Sequence, residues 1–304
     1  MNNDRLPRLS RPNFPYYLAA RKNPVMYAFM FERDLPLGIL PYRSRANDQF
    51  KIELDPYSSD TEEKLITLLE DIGGTGHDVE DVITNFVERI TLYFAHYGEV
   101  FMELLSDDDG VKQVVTLPPA PIKHFLRRYA QIIPQADRQA NDPERIYIPD
   151  EKMWHLKLPK ELGSPKQHQK MIDNLNKLSE PMPKFALSDT TLGSDLGYDF
   201  MTHRTSLDIA VERQTYRWGS IPSLNQIRGT SEYYYMFNRL KFSRAQALIR
   251  EHTIEELNKL LQQIGFGGTI KIEGLPLARE ISNTIPKLSK GEVGFEEVVK
   301  LINP

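Results

Sequence analysis

Val79, Val82, Ile83, Phe86, Ile90, Tyr93, Phe94 and Tyr97 recur at intervals of three and four, which places them on one face of a single long helix. Gly98 is its expected stop, because glycine adopts the left-handed conformation that closes a helix at little cost. The period then falls to two. Val100 and Met102 alternate with Phe101 and Glu103, and "VKQVVTL" (111–117) reads as the partner strand of a hairpin. This order of helix, glycine and hairpin commits the middle of the chain to a mixed α and β unit.

The two strands are joined by Asp107-Asp108-Asp109-Gly110. Three adjacent carboxylates invite a metal-centre reading, yet two-metal catalysis draws its ligands from separate elements. Asp-Gly is a favoured pair for a tight hairpin turn, since both residues tolerate positive φ. The turn is the expected role.

Upstream, Ser59 and Glu62 have the spacing of a capping box. Leu65, Leu68, Leu69 and Ile72 follow at helical intervals before Gly73-Gly74. Six prolines precede Pro56, so residues 1–57 are expected to form an extended arm with a strand or two, leaning on another domain or another subunit. Downstream, "IKHFLRRYAQIIP" and "RIYIPDEKMWHLKLP" read as further strands, and "SPKQHQKMIDNLNKL" as a short helix. The span 58–190 is therefore expected to be one α+β domain, its helices first and an antiparallel sheet after. A linker, "SDTTLGSDLG", follows.

From about residue 198 the pattern is helical. Leu207, Ala210, Val211 and Trp218 share one face up to Gly219-Ser220-Ile221-Pro222. "SEYYYMFNRLKFSRAQALIREHTIEELNKLLQQIG" reads either as one helix of some thirty residues or as two, because Thr253 and Glu256 make another capping box. Gly265, Gly267 and Gly268 end it. A short strand, "TIKIE", and two small helices close the chain, the last carrying Phe295, Val298, Val299 and Ile302 on one face.

Composition excludes several function classes. The absence of cysteine rules out disulfides, thiolate metal sites and cysteine nucleophiles and fits a reducing compartment. No apolar run reaches the roughly 20 residues of a membrane span, and the N-terminus lacks the apolar core of a secretory signal, so a soluble protein is expected. The net charge of −4 on 304 residues gives no bulk basic surface for nucleic acid. Among the seven histidines there is no HExxH pair, and neither a phosphate-binding glycine loop nor a nucleophile elbow occurs. "HFLR" (124–127) matches a four-residue recombinase fragment that is common by chance. No catalytic, cofactor-binding or metal-binding residues are assigned.

One local asymmetry stands out. Between His203 and Arg250, eight cations (Arg204, Arg213, Arg217, Arg228, Arg239, Lys241, Arg244 and Arg250) face three acids. Tyr216, Trp218 and Tyr233 to Tyr235 are interleaved with them. Such a set can contact a sugar-phosphate backbone or form a solvated helix face with intrahelical pairs.

The order of elements from 79 to 156 resembles the core of tailed-bacteriophage portal proteins, the head-to-tail connector family. The resemblance rests on four motifs in the family's order. Gly98-Glu99-Val100-Phe101-Met102-Glu103 is similar to G-N-x-Y-x-E, with Glu99 for asparagine and Phe101 for tyrosine. The acidic hairpin of Asp107 to Gly110 and the proline strand "TLPPAPI" follow. Ile148-Pro149-Asp150-Glu151-Lys152-Met153-Trp154-His155 is similar to I-P-x-E-x-I-x-H.

The resemblance implies a portal-like α+β fold. It would comprise the arm (1–57), an α/β wing (58–190), a helical-hairpin stem (195–265) interrupted by a short clip near 219–231, and a C-terminal strand with a reduced helical crown (266–304). It further implies a ring, typically of twelve subunits, at a capsid vertex of the virion, assembled in the host cytoplasm. That ring would contact the major capsid protein, a terminase and a head-tail adaptor while double-stranded DNA passes through it. Such a subunit is not an enzyme, needs no cofactor and touches no membrane. The eight cations would be divided between the DNA channel and subunit contacts. A recombinase- or nuclease-like DNA-binding enzyme and a helical protein-binding adaptor are the alternative readings.

Overall fold

The computed structural model describes residues 29–41, 50–74, 76–108, 110–117, 122–133, 135, 143–178, 206, 209–219 and 231–302. Most of the N-terminal arm, the linker at 188–197, Arg204, and the interior of the clip with Arg228 lie outside them. The fold is mixed α and β, as the alternation of periods predicts.

Helix α1 (Ser59–Gly73) starts one residue earlier than the capping box suggests. Ser58 is extended, with φ −149° and ψ 156°, and its side chain accepts from the Thr61 backbone N–H, leaving Ser59 as the first helical residue. Glu62 serves elsewhere: it accepts from the Tyr57 hydroxyl and from the Val79 backbone N–H. Leu65, Leu68, Leu69 and Ile72 are all buried, and Asp71 on the same helix accepts from the Thr116 N–H and hydroxyl, both at 3.0 Å.

Helix α2 (Val79–Tyr97) is the centre of the molecule. Seven of the eight stripe residues are buried, and so are Val87, Thr91, Ala95 and His96 off the stripe. A helix covered on more than one side lies inside a domain rather than on its surface. Gly98 closes it in the left-handed region at φ 74°. A Cβ there would lie 2.9 Å from the Pro165 Cα, so glycine is needed for close approach as well as for conformation.

Three small antiparallel sheets complete the fold, and the first and third of them pack on this helix. In the first, β2 (Glu99–Asp107) lies between β3 (Gly110–Leu117) and β7 (Met153–Lys157). The hairpin turns where expected, with Asp107 paired to Gly110, while Asp109 lies outside the described residues. The second sheet is β4 (Ile122–Phe125), β5 (Arg128–Ile132) and β6 (Arg145–Pro149). The single antiparallel sheet expected from the sequence is thus two. The chain passes from one to the other at the turn of 150–152, where β6 and β7 join different sheets.

The third sheet pairs β1 (Lys51–Asp55) with β8 (Thr269–Glu273). The end of the expected arm therefore packs on its own chain. So do residues 29–41, whose Phe31, Leu35, Ile39 and Leu40 are buried in the main core.

Helix α3 (Pro165–Leu178) packs on α2 through Met171 and Leu175. Helix α4 (Glu232–Gln263) runs unbroken for 32 residues, capped by Ser231. Thr253, the alternative start, is a buried interior residue. At 1.5 Å per residue α4 spans about 48 Å. It serves two cores. Leu240 and Ala247 pack against α5 (Ala278–Ser289) and α6 (Phe295–Ile302), while Phe242, Ala245, Ile249, Leu257 and Leu261 join the main cluster. Among the described residues no helix is long and apolar enough to cross a membrane.

Trp218 and Gly219 attach the preceding segment to α4. Trp218 is 1% exposed and meets Phe31 edge-on at 5.2 Å, which makes it a core residue and not the stacking surface its aromatic neighbours suggest. Gly219 has φ 75°, and a Cβ there would come within 2.5 Å of the Asn238 carbonyl oxygen and 2.6 Å of the Phe242 nitrogen. Backbone cannot yield as a side chain can.

Two substitutions test this packing with opposite signs. Gly219→Ala is expected to destabilise by roughly 3 kcal/mol or more, combining αL strain with a backbone clash. Gln131 on β5 is 1% exposed and neither of its amide atoms has a hydrogen-bond partner among the described residues. Gln131→Met should therefore stabilise by about 1 kcal/mol, because removing an unpaired buried amide recovers its desolvation cost. Urea unfolding of both variants measures the two effects.

Candidate functional site

Two places gather chemically capable side chains. The first is the seam between the two larger sheets, where residues about fifty positions apart meet. Pairing of β2 with β7 sets Phe101 opposite His155. His155 Nε2 lies 2.9 Å from Glu99 Oε2, and its ring stacks on Phe101 with centroids 4.0 Å apart. From the second sheet, the Tyr129 hydroxyl reaches His155 Nδ1 at 3.4 Å. His124 flanks Tyr129 at 4.5 Å between ring centroids and bonds Asp150 through Nε2 at 3.1 Å.

Because Nε2 faces a carboxylate, the neutral imidazole carries its proton there, leaving Nδ1 to accept from tyrosine. Carboxylate, imidazole and hydroxyl thus stand in the order of a relay. A relay nucleophile must ionise readily. Tyr129 is shifted the other way: burial pushes its phenol up, and the nearby charges of Asp150 and Glu99 add to the shift. The arrangement suits a clasp that fixes one sheet against the other, around the apolar cluster of Phe101, Leu117, Ile122, Tyr129, Ile146 and Ile148. Sequence spacing alone pointed to no histidine pairing here; the signal was the pair of motifs containing Glu99 and His155.

The second place is a cleft of about 360 Å³ between α4, α5 and the segment before Gly219. Phe237, Lys241 and Arg244 lie on one face of α4, at i, i+4 and i+7. Tyr216 and Arg217 from the segment before Gly219, Ser282 and Ile285 of α5, and Glu161 line the cleft with them. The cleft is basic and partly aromatic. The Arg217 Nε donates to the Tyr216 hydroxyl at 2.6 Å, and the Arg244 Nε donates to the Ser282 hydroxyl at 2.8 Å. Lys241 lies 5.5 Å from the Phe237 ring centroid and has no hydrogen-bonding partner among the described residues. Burial pulls its pKa down, against the opposing pull of Glu212.

Three of the eight cations singled out in the sequence, Arg217, Lys241 and Arg244, therefore converge on one site. Arg213 and Arg239 lie apart from it; Arg213 is exposed and Arg239 half-buried. Arg250, the last of the cations expected at the channel or at subunit contacts, is packed inside its own chain. It is 7% exposed and donates to the carbonyl oxygens of Ile39 and Pro276, with its pKa pulled down to about 10 by burial. Its charge is engaged inside the chain. Arg204 and Arg228 lie outside the described residues. Among the described residues no group of three His, Asp or Glu side chains is placed to hold a metal ion.

The clasp predicts an alkaline transition. Tyr129 and Tyr93 both have phenols pushed up by burial. Below the ordinary tyrosine pKa, about 10, folded and unfolded chains are equally protonated and these groups add no pH dependence. Above it the unfolded chain ionises while the folded chain resists, so stability falls as pH rises. The urea midpoint should decline above about pH 10, and Tyr129→Phe should make that decline shallower.

No protein-family model matches the chain, and no curated protein sequence matches it. It is similar to a chain in a solved structure described as the neck of an empty GTA particle computed with C6 symmetry. The two are 11% identical, the similarity covers 98% of this chain and 96% of that one, and the TM-score is 0.49.

Proposed function

We propose that this chain is a structural, ring-forming head-to-tail connector of the portal type. It would assemble with copies of itself at a capsid vertex, line the passage for double-stranded DNA, and offer docking surfaces to capsid, terminase and tail components. In this reading the subunit performs no catalysis.

The observation that carries the reading is the meeting of its motifs. The motif after Gly98 and the motif ending at His155 resemble portal sequences separately, and in the fold they are joined by strand pairing and by the Glu99–His155 contact. Four short matches in one order are individually weak. The first, second and last of them meet in one built unit, with α2 behind it and the connection from Asp107 to Gly110 at its tip, which is harder to obtain by chance; the interior of the third, 118–121, lies outside the described residues. Burial pushes the Tyr129 phenol up, which supports a structural seam over a nucleophile. The basic cleft is local, so the chain as a whole keeps the mixed charge that a passage needs if DNA is to slide without sticking.

Electron microscopy of the purified protein tests this reading. Annular end-on views and a particle of several hundred kilodaltons are expected. A subunit that stays monomeric at high concentration overturns it, and a monomer that cuts or joins DNA would replace it with the enzyme reading.

A further inference from the structure

The cleft described above sets three cations and one carboxylate, Glu161, beside aromatic and aliphatic side chains, and Lys241 within it has no carboxylate at hydrogen-bonding distance among the described residues. Its natural complement is an apolar ring accompanied by negative charge. Of the exposed aromatic side chains outside the cleft, Tyr233 stacks on Phe237 of the same helix, the Arg128 guanidinium covers the Tyr147 ring at 4.4 Å, and Phe125 stands opposite Arg128 in its hairpin. Tyr57 is different. It is 64% exposed and stands beside Asp60, Glu62 and Glu63 at the start of α1, while the nearby Glu53 and Asp55 are paired with Lys51 and Lys271.

Tyr57 is also held in place. Its hydroxyl donates to Glu62 at 2.7 Å, and Glu62 is itself fixed by the Val79 N–H. A ring oriented before contact loses less freedom on binding.

The cleft and this knob sit at opposite parts of α4. Asn258 near the end of α4 bonds both the N–H and the carbonyl of Ile270, and β8 holds β1 with Asp55 opposite Thr269. Arg244 and Phe237 lie 14 and 21 residues before Asn258, a separation of about 20 to 30 Å along the helix. Two complementary patches so far apart on one rigid element cannot satisfy each other within a subunit. They can do so between copies in head-to-tail order, the heterologous contact that generates closed rings.

We propose that the cleft formed by Tyr216, Arg217, Phe237, Lys241, Arg244 and Ile285 receives Tyr57 and its carboxylates from a second copy of the chain. This rests on the ring reading above and adds to it a specific subunit contact. The aromatic ring packs against the apolar side chains, and the carboxylates complete the hydrogen bonding of Lys241. Duplex DNA is the other anionic occupant to consider. A site lined by Tyr216, Phe237 and Ile285 beside its cations suits an aromatic side chain better than the polar, anionic face of a phosphate backbone.

Head-to-tail geometry gives a diagnostic test. A Lys241→Glu subunit keeps an intact knob, and a Tyr57→Ala subunit keeps an intact cleft. Each alone should lose ring formation, with association weakened roughly thirtyfold or more. Mixed in equal amounts, they should form a dimer through the one intact contact and grow no further, as read by sedimentation velocity. Arg217→Glu provides a second cleft variant, and far-ultraviolet circular dichroism checks that all three fold like the wild type. If wild type forms annuli and the variants do too, the contact is wrong while the ring stands. If only the cleft variants fail, Tyr57 is not the occupant. Cleft variants that keep their annuli but lose retention of duplex DNA assign the site to phosphate and overturn the contact. A wild type that never assembles overturns both readings.

Discussion

Burial of α2 on more than one side is the constraint on which the structure depends. A helix so enclosed must be covered by several elements, and the chain supplies them from distant parts of its length: α1 and residues 29–41 from before it, β2, β7 and α3 from after it, and α4 from beyond residue 231. Each contributes a modest apolar patch that could not form a core alone. Gly98 then sets the direction in which β2 departs, and so fixes where β3 and β7 can pair.

The polar interior follows from the same crowding. Residues 29–41 make only short helical turns, which leave several carbonyls without backbone partners. Gln246 donates to the carbonyls of Asp34 and Leu35, and Arg250, one turn further along α4, donates to Ile39. Desolvating a guanidinium is costly. Here that cost is offset by charge-assisted bonds to carbonyls that burial would otherwise leave unsatisfied. The same cationic residue type therefore has two roles on one helix: Arg250 is internal glue, while Arg244, six residues earlier, faces the cleft.

Much of this architecture was legible in the sequence, and the parts that were not share a cause. The stripe of α2, its glycine stop and the Asp-Gly hairpin are local patterns with local physics, and each holds. The Ser58 cap was misplaced by one residue because adjacent serines offer the same chemistry and only backbone conformation chooses between them. The turn between β4 and β5 carried no signal at all: Leu126 takes φ 57° with no glycine or asparagine to announce it. Charge counting found the basic region but could not separate Arg250 from Lys241, since burial depends on which helix face meets residues 29–41. The Glu99–His155 contact was hidden for the same reason; it depends on strand pairing across some fifty residues.

Helix α4 is locked in phase as well as in place. Leu240 and Ala247 face α5 and α6, whereas Phe242, Ala245 and Ile249 face the main core, in one unbroken stretch. One extra residue within it would turn everything beyond by about 100° and set one core against the other. Length variation in relatives of this chain should therefore be absent between Leu240 and Leu261 and should gather in the connections on either side.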